Sequence, residues 1–150
     1  MGGLRKNGMN QKIDANELII KNIHNYLKKK KIDYKDFLKE LYKLVPQEKV
    51  DYFFAKKQGV DGDLIIGISK VLKENLNYFC IPHIEDESLS IEQEKLVELA
   101  KVCNQNFDVK SVDANEKLLE LTKYALDNEL TSFSKAAYYL NCSVSEIMEL

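Results

Sequence analysis

Side chains of the types that bind nucleic acid are concentrated between Lys28 and Lys57. Lysine neutralises backbone phosphates, and amide, ammonium and phenol groups form hydrogen bonds with base edges. A helical hairpin with a solvated lysine face is the alternative interpretation. The candidates for base contacts are Gln47, Lys49, Tyr52 and Lys56, and those for phosphate contacts are Lys28, Lys29, Lys30, Lys31, Lys35 and Lys57.

Two short helices are predicted to position these side chains. Asp33 can cap the first helix, which carries Phe37 and Leu41 at helical spacing. The second begins near Pro46, because proline is favourable in a first helical turn, and Gly59 is its predicted C-terminal stop. The apolar side of the second helix consists of Val50, Phe53 and Phe54.

Helices are also predicted on both sides of this pair. The spacing of Asp14 and Glu17 is that of a capping box, so a helix begins there and ends in the run of lysines at 28–31. Asp63 can cap another helix that runs to Leu72, in which Gly67 permits close packing. A shorter helical turn follows over 76–79.

The net charge of −2 conceals an uneven distribution. Residues 1–60 contain 14 Lys/Arg and 7 Asp/Glu, whereas residues 61–150 contain 8 and 17. The basic part is suited to phosphates, and the acidic part would be repelled by them. We therefore expect different partners for the two parts.

Little in the sequence indicates enzymatic chemistry. It contains no zinc-protease motif, phosphate-binding loop or nucleophile elbow, so we predict no enzyme activity, no catalytic residue and no cofactor. Three widely spaced cysteines favour reduced thiols in a cytoplasmic protein. His83, Glu85 and Glu87 lie on one loop with nonspecific spacing, and no metal site is predicted. No apolar run is long enough to span a bilayer.

The second half of the chain is predicted to be helical as well. Capping-box spacing at Ser90 and at Asp113 starts two amphipathic helices. The segment 133–147 then has the pattern of a helix-turn-helix. Ala137 is small where two helices approach, Asn141 suits a left-handed turn position, and Ser143 can cap the last helix.

Two family resemblances follow from these patterns. The segment 68–79, ISKVLKENLNYF, resembles the closing segment of phage-repressor-like (XRE-family) helix-turn-helix proteins, with the likeness covering about residues 17–80. It implies a five-helix domain whose second and third helices read DNA. The connection through Tyr42, Lys43 and Leu44 is about two residues longer than that family's usual turn. The segment 133–147 resembles the terminal helix-turn-helix piece of regulators and of ImmA/IrrE-type proteins, without their zinc motif.

We therefore predict an all-α protein with a leader at 1–14, a repressor-like domain at 15–80, a linker at 81–89 and a smaller helical domain at 90–150 that ends in a partial helix-turn-helix. The predicted function is sequence-specific binding of double-stranded DNA by a homodimeric, cytoplasmic transcriptional regulator of a phage or mobile-element type. The alternative is a protein-interaction module that uses the helix-turn-helix scaffold without DNA and contacts its partner through the acidic C-terminal half. A regulator whose second domain encloses a ligand is a third possibility.

Overall fold

The computed structural model describes residues 14–84 and 86–150, and within these ranges every regular element is helical. The prediction of an all-α fold is thus confirmed. The chain divides into two units, residues 1–82 and 83–150. The predicted leader lies outside the described residues except for Asp14.

Unit 1 consists of four α-helices and one 3₁₀ segment within its described residues. Its largest side chains with no exposed surface come from every one of these elements, so they share one core. Phe53, Ile23, Leu41, Ile68 and Phe79 are among them. The elements are α1 (Ala15–Lys30), α2 (Tyr34–Leu41), α3 (Gln47–Phe54), α4 (Gly62–Leu72) and the 3₁₀ segment Leu76–Cys80.

Helix α1 is held to the end of unit 1 by a buried amide that the sequence pattern did not single out. Asn22 lies among the apolar residues of α1, and its Nδ2 donates hydrogen bonds to the carbonyls of Phe79 at 3.0 Å and Ile81 at 2.8 Å. Both acceptors lie where the 3₁₀ segment ends. A buried amide is stable only when it is hydrogen-bonded, so these bonds fix the register of α1 against the segment.

Helix α4 packs closely against the end of α2 and the turn that follows it, at Gly67. A Cβ atom added there would lie 2.7 Å from Val45 Cγ2 and 3.2 Å from Leu41 Cδ1. Glycine therefore lets the helix approach, as its position in the sequence suggested.

Helix α3 ends earlier than the sequence predicted. Gly59 was the expected stop, but the helix ends at Phe54 and Lys56 adopts a left-handed conformation with φ of 62°. The amide of Lys57 donates to the carbonyl of Tyr52 at 2.8 Å, and that of Lys56 donates to Phe53 at 3.0 Å. These two bonds form a Schellman motif, which satisfies the last carbonyls without a glycine. The prediction that Lys56 lies on the same helix as Tyr52 is consequently wrong.

Unit 2 begins its regular structure at a capping box. The Ser90 hydroxyl accepts from the Gln93 amide at 3.1 Å, and the Gln93 side chain accepts from the Ser90 amide at 2.9 Å, as predicted. Leu96 and Leu99 of the first helix, Ala125 of the next and Tyr139 of the third form its core. The elements are α5 (Ile91–Val102), a 3₁₀ turn (Val109–Ser111), α6 (Ala114–Asp127), α7 (Phe133–Leu140) and α8 (Val144–Met148).

Candidate nucleic-acid interface

Helix α3 is anchored on one side by aromatic and aliphatic packing. Val50 and Phe53 are fully buried, and the half-buried ring of Phe54 lies 6.3 Å from that of Phe37 and 5.9 Å from that of Tyr34 on α2, both edge-on. Such edge-to-face pairs stabilise the fold by more than the burial of their apolar area alone. The anchoring fixes which side of α3 faces solvent.

The solvent side of α3 carries neutral hydrogen-bonding groups and carboxylates. Gln47 at the first position and Tyr52 near the middle are exposed, and so are the carboxylates of Glu48 and Asp51. The amide and phenol groups can donate or accept hydrogen bonds, whereas the carboxylates only accept and would repel phosphates.

The turn between α2 and α3 is tied to α3 by a phenol. The Tyr42 hydroxyl donates to Asp51 Oδ1 at 2.7 Å, which raises the pKa of Tyr42 to about 12 because the bond stabilises the protonated phenol. The bond occupies one oxygen of the Asp51 carboxylate. Tyr42 therefore limits the mobility of an acidic side chain on the candidate interface.

Lys49, a candidate for base contacts, is engaged within the protein. Its Nζ lies 2.7 Å from Asp61 Oδ2, and its side chain is 28% exposed. The hydrogen bond to Asp61 raises the pKa of Lys49 and, in return, lowers the pKa of Asp61. The ammonium is charged but compensated by its neighbour.

Lys56 and Lys57 lie beyond the end of α3. Lys56 is displaced from the helical path by its left-handed backbone, and its Nζ lies 3.7 Å from Glu17 Oε1 of α1. Both lysines are exposed, with 58% of the Lys56 side chain open to solvent. Lys56 is thus placed between α1 and α3 rather than along the solvent side of α3.

The phosphate candidates cluster where α1 ends and α2 begins. Lys31 closes α1 in a left-handed conformation, and Lys35 follows the cap of α2; both are exposed. Lys30 lies 5.8 Å from the centre of the Tyr26 ring, a cation–π contact. Lys28 is exposed and Lys29 half-buried.

The positive charge of unit 1 precedes α3 instead of lying on it. Residues 28–43 contain seven lysines and three carboxylates, whereas residues 47–63 contain three lysines and four carboxylates. The sequence alone indicates the cations but not the importance of Asp51 and Asp61. Their significance depends on which lysine or phenol each one meets, which spacing along the chain does not reveal.

The second predicted helix-turn-helix, α7 with α8, is built as its sequence indicated. Asn141 has φ of 51°, and the Ser143 hydroxyl accepts a hydrogen bond from the Glu146 amide at 3.1 Å. Ala137 and Ile147 are buried in the same apolar cluster. Its one lysine, Lys135, lies 3.4 Å from Glu98 Oε2 on α5 and over the rings of Tyr138 and Tyr139. That ammonium is occupied by unit 2 itself.

No cluster of three or more His, Cys, Asp or Glu side chains that could hold a metal ion occurs in residues 14–84 and 86–150. Of the loop residues considered for a metal, Glu85 lies outside the described residues. His24 is exposed, and its ring stands 5.2 Å from that of Tyr34. Among the described helices, none is both long and apolar enough to cross a membrane.

Comparison with known proteins yields no match: no family model, no curated protein and no solved structure is similar to this chain. The two family resemblances of the sequence therefore remain predictions.

Proposed function

We propose that the protein is a transcriptional regulator that binds double-stranded DNA through unit 1, with α3 in the major groove. The observation that carries the proposal is the orientation of α3. Val50 and Phe53 hold one side in the core, and the exposed remainder of the helix includes Gln47 and Tyr52 along with Glu48 and Asp51. A helix fixed in this way presents hydrogen-bonding groups to base edges in a defined register.

Phosphate contacts in this proposal come from the lysines before α3. Specific protein–DNA complexes place about half or more of their hydrogen bonds on the backbone, which orients the reading helix. Lys31 and Lys35 are exposed at the junction of α1 and α2 and are the first choice for these contacts. The excess of basic residues in unit 1, 16 against 10 acidic, is consistent with this role.

A homodimer completes the proposal, because one domain of this size reads few base pairs and two-fold pairing doubles the site. Light scattering of the free protein and of its DNA complex measures the stoichiometry. A two-to-one complex with a palindromic duplex is the expected result.

The central experiment is a fluorescence titration of a pool of duplexes at several salt concentrations, followed by selection of the bound sequences. Each lost phosphate contact should reduce the slope of log affinity against log salt by about 0.9. We expect the double variant Lys31→Gln, Lys35→Gln to lose about two such increments per protomer, because it removes two phosphate contacts from each subunit.

The matched control is Lys101→Gln, Lys123→Gln, which removes two exposed lysines of unit 2. It makes the same change in net charge and should leave the salt slope unchanged. Equal effects of the two double variants, or no affinity of the wild type for any duplex at low salt, would refute the proposal.

Base reading needs a separate variant. Gln47→Ala removes an exposed amide from the start of α3 without touching the core. It should weaken binding to the selected sequence by about 1–3 kcal/mol and leave nonspecific binding nearly unchanged. A uniform loss across all sequences would show that Gln47 does not read bases.

A second candidate function is a protein-interaction module that acts through unit 2. It is favoured by one observation: residues 83–150 hold 14 acidic and 6 basic residues, yet unit 2 exposes large apolar side chains. Among these are Leu130, Phe133, Val144 and Met148. This function would be favoured over DNA binding if one protein partner is retained after nuclease treatment. The partner should then be lost in the double variant Phe133→Glu, Met148→Glu.

A further inference from the structure

The carboxylate of Asp61 makes two contacts at once. Its Oδ1 accepts a hydrogen bond from the Leu64 amide at 2.9 Å, so Asp61 caps α4 and the prediction that Asp63 does so is wrong. Its Oδ2 lies 2.7 Å from Lys49 Nζ on α3. The cap fixes the position of the carboxylate, because a backbone amide cannot rotate away as a side chain can. Asp61 therefore presents a fixed anionic oxygen to the only basic side chain within α3.

This pairing separates Lys49 from the other candidate lysines. Charge-assisted bonds of this length are stronger than neutral ones, and the Lys49 side chain is half as exposed as that of Lys56, 28% against 58%. Asp63, in the first turn of α4, adds electrostatic attraction. A DNA oxygen that approaches Lys49 must compete with a partner already in place.

We infer that Asp61 competes with DNA oxygens for the Lys49 ammonium and thereby limits the affinity of α3 for DNA. The inference rests on the proposed function, since it assumes that α3 contacts DNA. In the wild type, Lys49 then contributes little to phosphate neutralisation, and the lysines of residues 28–35 contribute most of it. Asp61 acts through Lys49 and has no contact with DNA of its own.

The ion pair has another consequence for the choice of variants. Charge reversal at Lys49 would place a carboxylate beside Asp61 and Asp63, so it would separate α3 from α4 by repulsion as well as remove a cation. The informative change is instead at Asp61. Asp61→Asn keeps a side chain that caps helices as well as aspartate does, and it removes the charge.

We expect Asp61→Asn to tighten DNA binding by about threefold to fivefold at low salt, the scale of one exposed ion pair. The slope of log affinity against log salt should become steeper by about 0.9 per protomer, because Lys49 gains a phosphate contact. The matched control is Asp63→Asn, which makes the same change in charge two residues further along α4. A third protein, Asp61→Asn with Lys49→Gln, tests whether the gain depends on Lys49.

The result that supports the inference is a gain with Asp61→Asn that exceeds the gain with Asp63→Asn and disappears in the Lys49→Gln background. Equal gains with Asp61→Asn and Asp63→Asn, or a gain that persists without Lys49, would overturn it in favour of a net-charge effect. Weaker binding by a folded Asp61→Asn protein would also overturn it, because the pair would then be positioning Lys49 for contact.

Failure of the proposed function gives a different pattern. If neither the wild type nor Asp61→Asn binds any duplex at low salt, DNA binding itself is refuted and the inference falls with it. Circular dichroism and thermal unfolding verify that each variant is folded. Asp61→Ser, which retains a capping oxygen without charge, replaces Asp61→Asn if that variant is unfolded.

Discussion

Between α2 and α3 the chain uses five residues and turns without a positive φ, whereas between α7 and α8 it uses three and turns at Asn141 with φ of 51°. The short connection brings two buried alanines, Ala136 and Ala137, against Ile147. The long one instead places Val45 in the core and ties Tyr42 to Asp51. Two helix pairs in one chain thus reach their geometry by different means.

The two helix pairs also differ in charge: the surroundings of α2 are basic and those of α8 are acidic. Residues 28–43, which include α2, contain seven lysines, while the lysine of α7 is paired with Glu98. Acidic residues lie within α8 at Glu146 and directly after it at Glu149. The pair with the tighter turn is the one that phosphates would avoid. Backbone geometry and surface charge are therefore independent properties, and the resemblance of a turn to a DNA-reading motif does not establish DNA binding.

The largest expected effect comes from truncating the core under each pair. Phe53→Ala should lower the free energy of unfolding by about 3–5 kcal/mol, and Ile147→Ala by about 2–5 kcal/mol with an expectation near the lower limit, because α8 is short. Urea denaturation followed by circular dichroism measures both. In a DNA titration Phe53→Ala should abolish binding and Ile147→Ala should not. Loss of DNA binding with Ile147→Ala but not with Phe53→Ala would indicate that α7 and α8 form the DNA interface instead.

A smaller effect tests the turn of α7 and α8. Asn141→Ala should destabilise by about 1–2 kcal/mol because alanine is strained at positive φ, whereas Asn141→Gly should be nearly neutral. Lys43→Ala in the other turn, where φ is negative, is the control and should have little effect. Thermal unfolding measures all three. Equal destabilisation by alanine and glycine would mean that the Asn141 side chain, and not its backbone, stabilises the turn.

The smallest effect tests the turn of α2 and α3. The pKa of Tyr42 is raised to about 12 in the folded protein, mainly by its hydrogen bond to Asp51, so the bond stabilises the fold below the ordinary tyrosine pKa of about 10. This contribution should be lost as the pH rises from about 10 through about 12. In a spectrophotometric titration, Tyr42→Phe should remove one phenol that ionises near pH 12. A difference spectrum that titrates near pH 10 would contradict the hydrogen bond.

Much of the fold was predictable because it depends on local chemistry. Asp33, Ser90, Asp113 and Ser143 each cap the helix that their spacing indicated. Capping requires only a short polar side chain and the amides two or three residues further on, so it is written in consecutive residues. The left-handed turn at Asn141 was predictable for the same reason.

The end of α3 was not predictable in this way. A glycine stop is a strong pattern, and Gly59 lies three residues beyond Lys56, the left-handed residue at which the helix is closed. The helix closes at Lys56 because the Schellman bonds from Lys56 and Lys57 satisfy its last carbonyls, and any residue that tolerates the strain of positive φ can serve there. Such a closure leaves no distinctive residue type in the sequence.

By itself the sequence determined the helical class, most helix starts and the uneven distribution of charge, since each follows from residue types and short-range spacing. The tertiary structure alone decided which charges are compensated. Lys49 and Asp61 are twelve positions apart and meet at 2.7 Å, and Asn22 finds its acceptors at Phe79 and Ile81. Electrostatic and hydrogen-bond partners depend on distance in space, which periodicity along the chain does not encode.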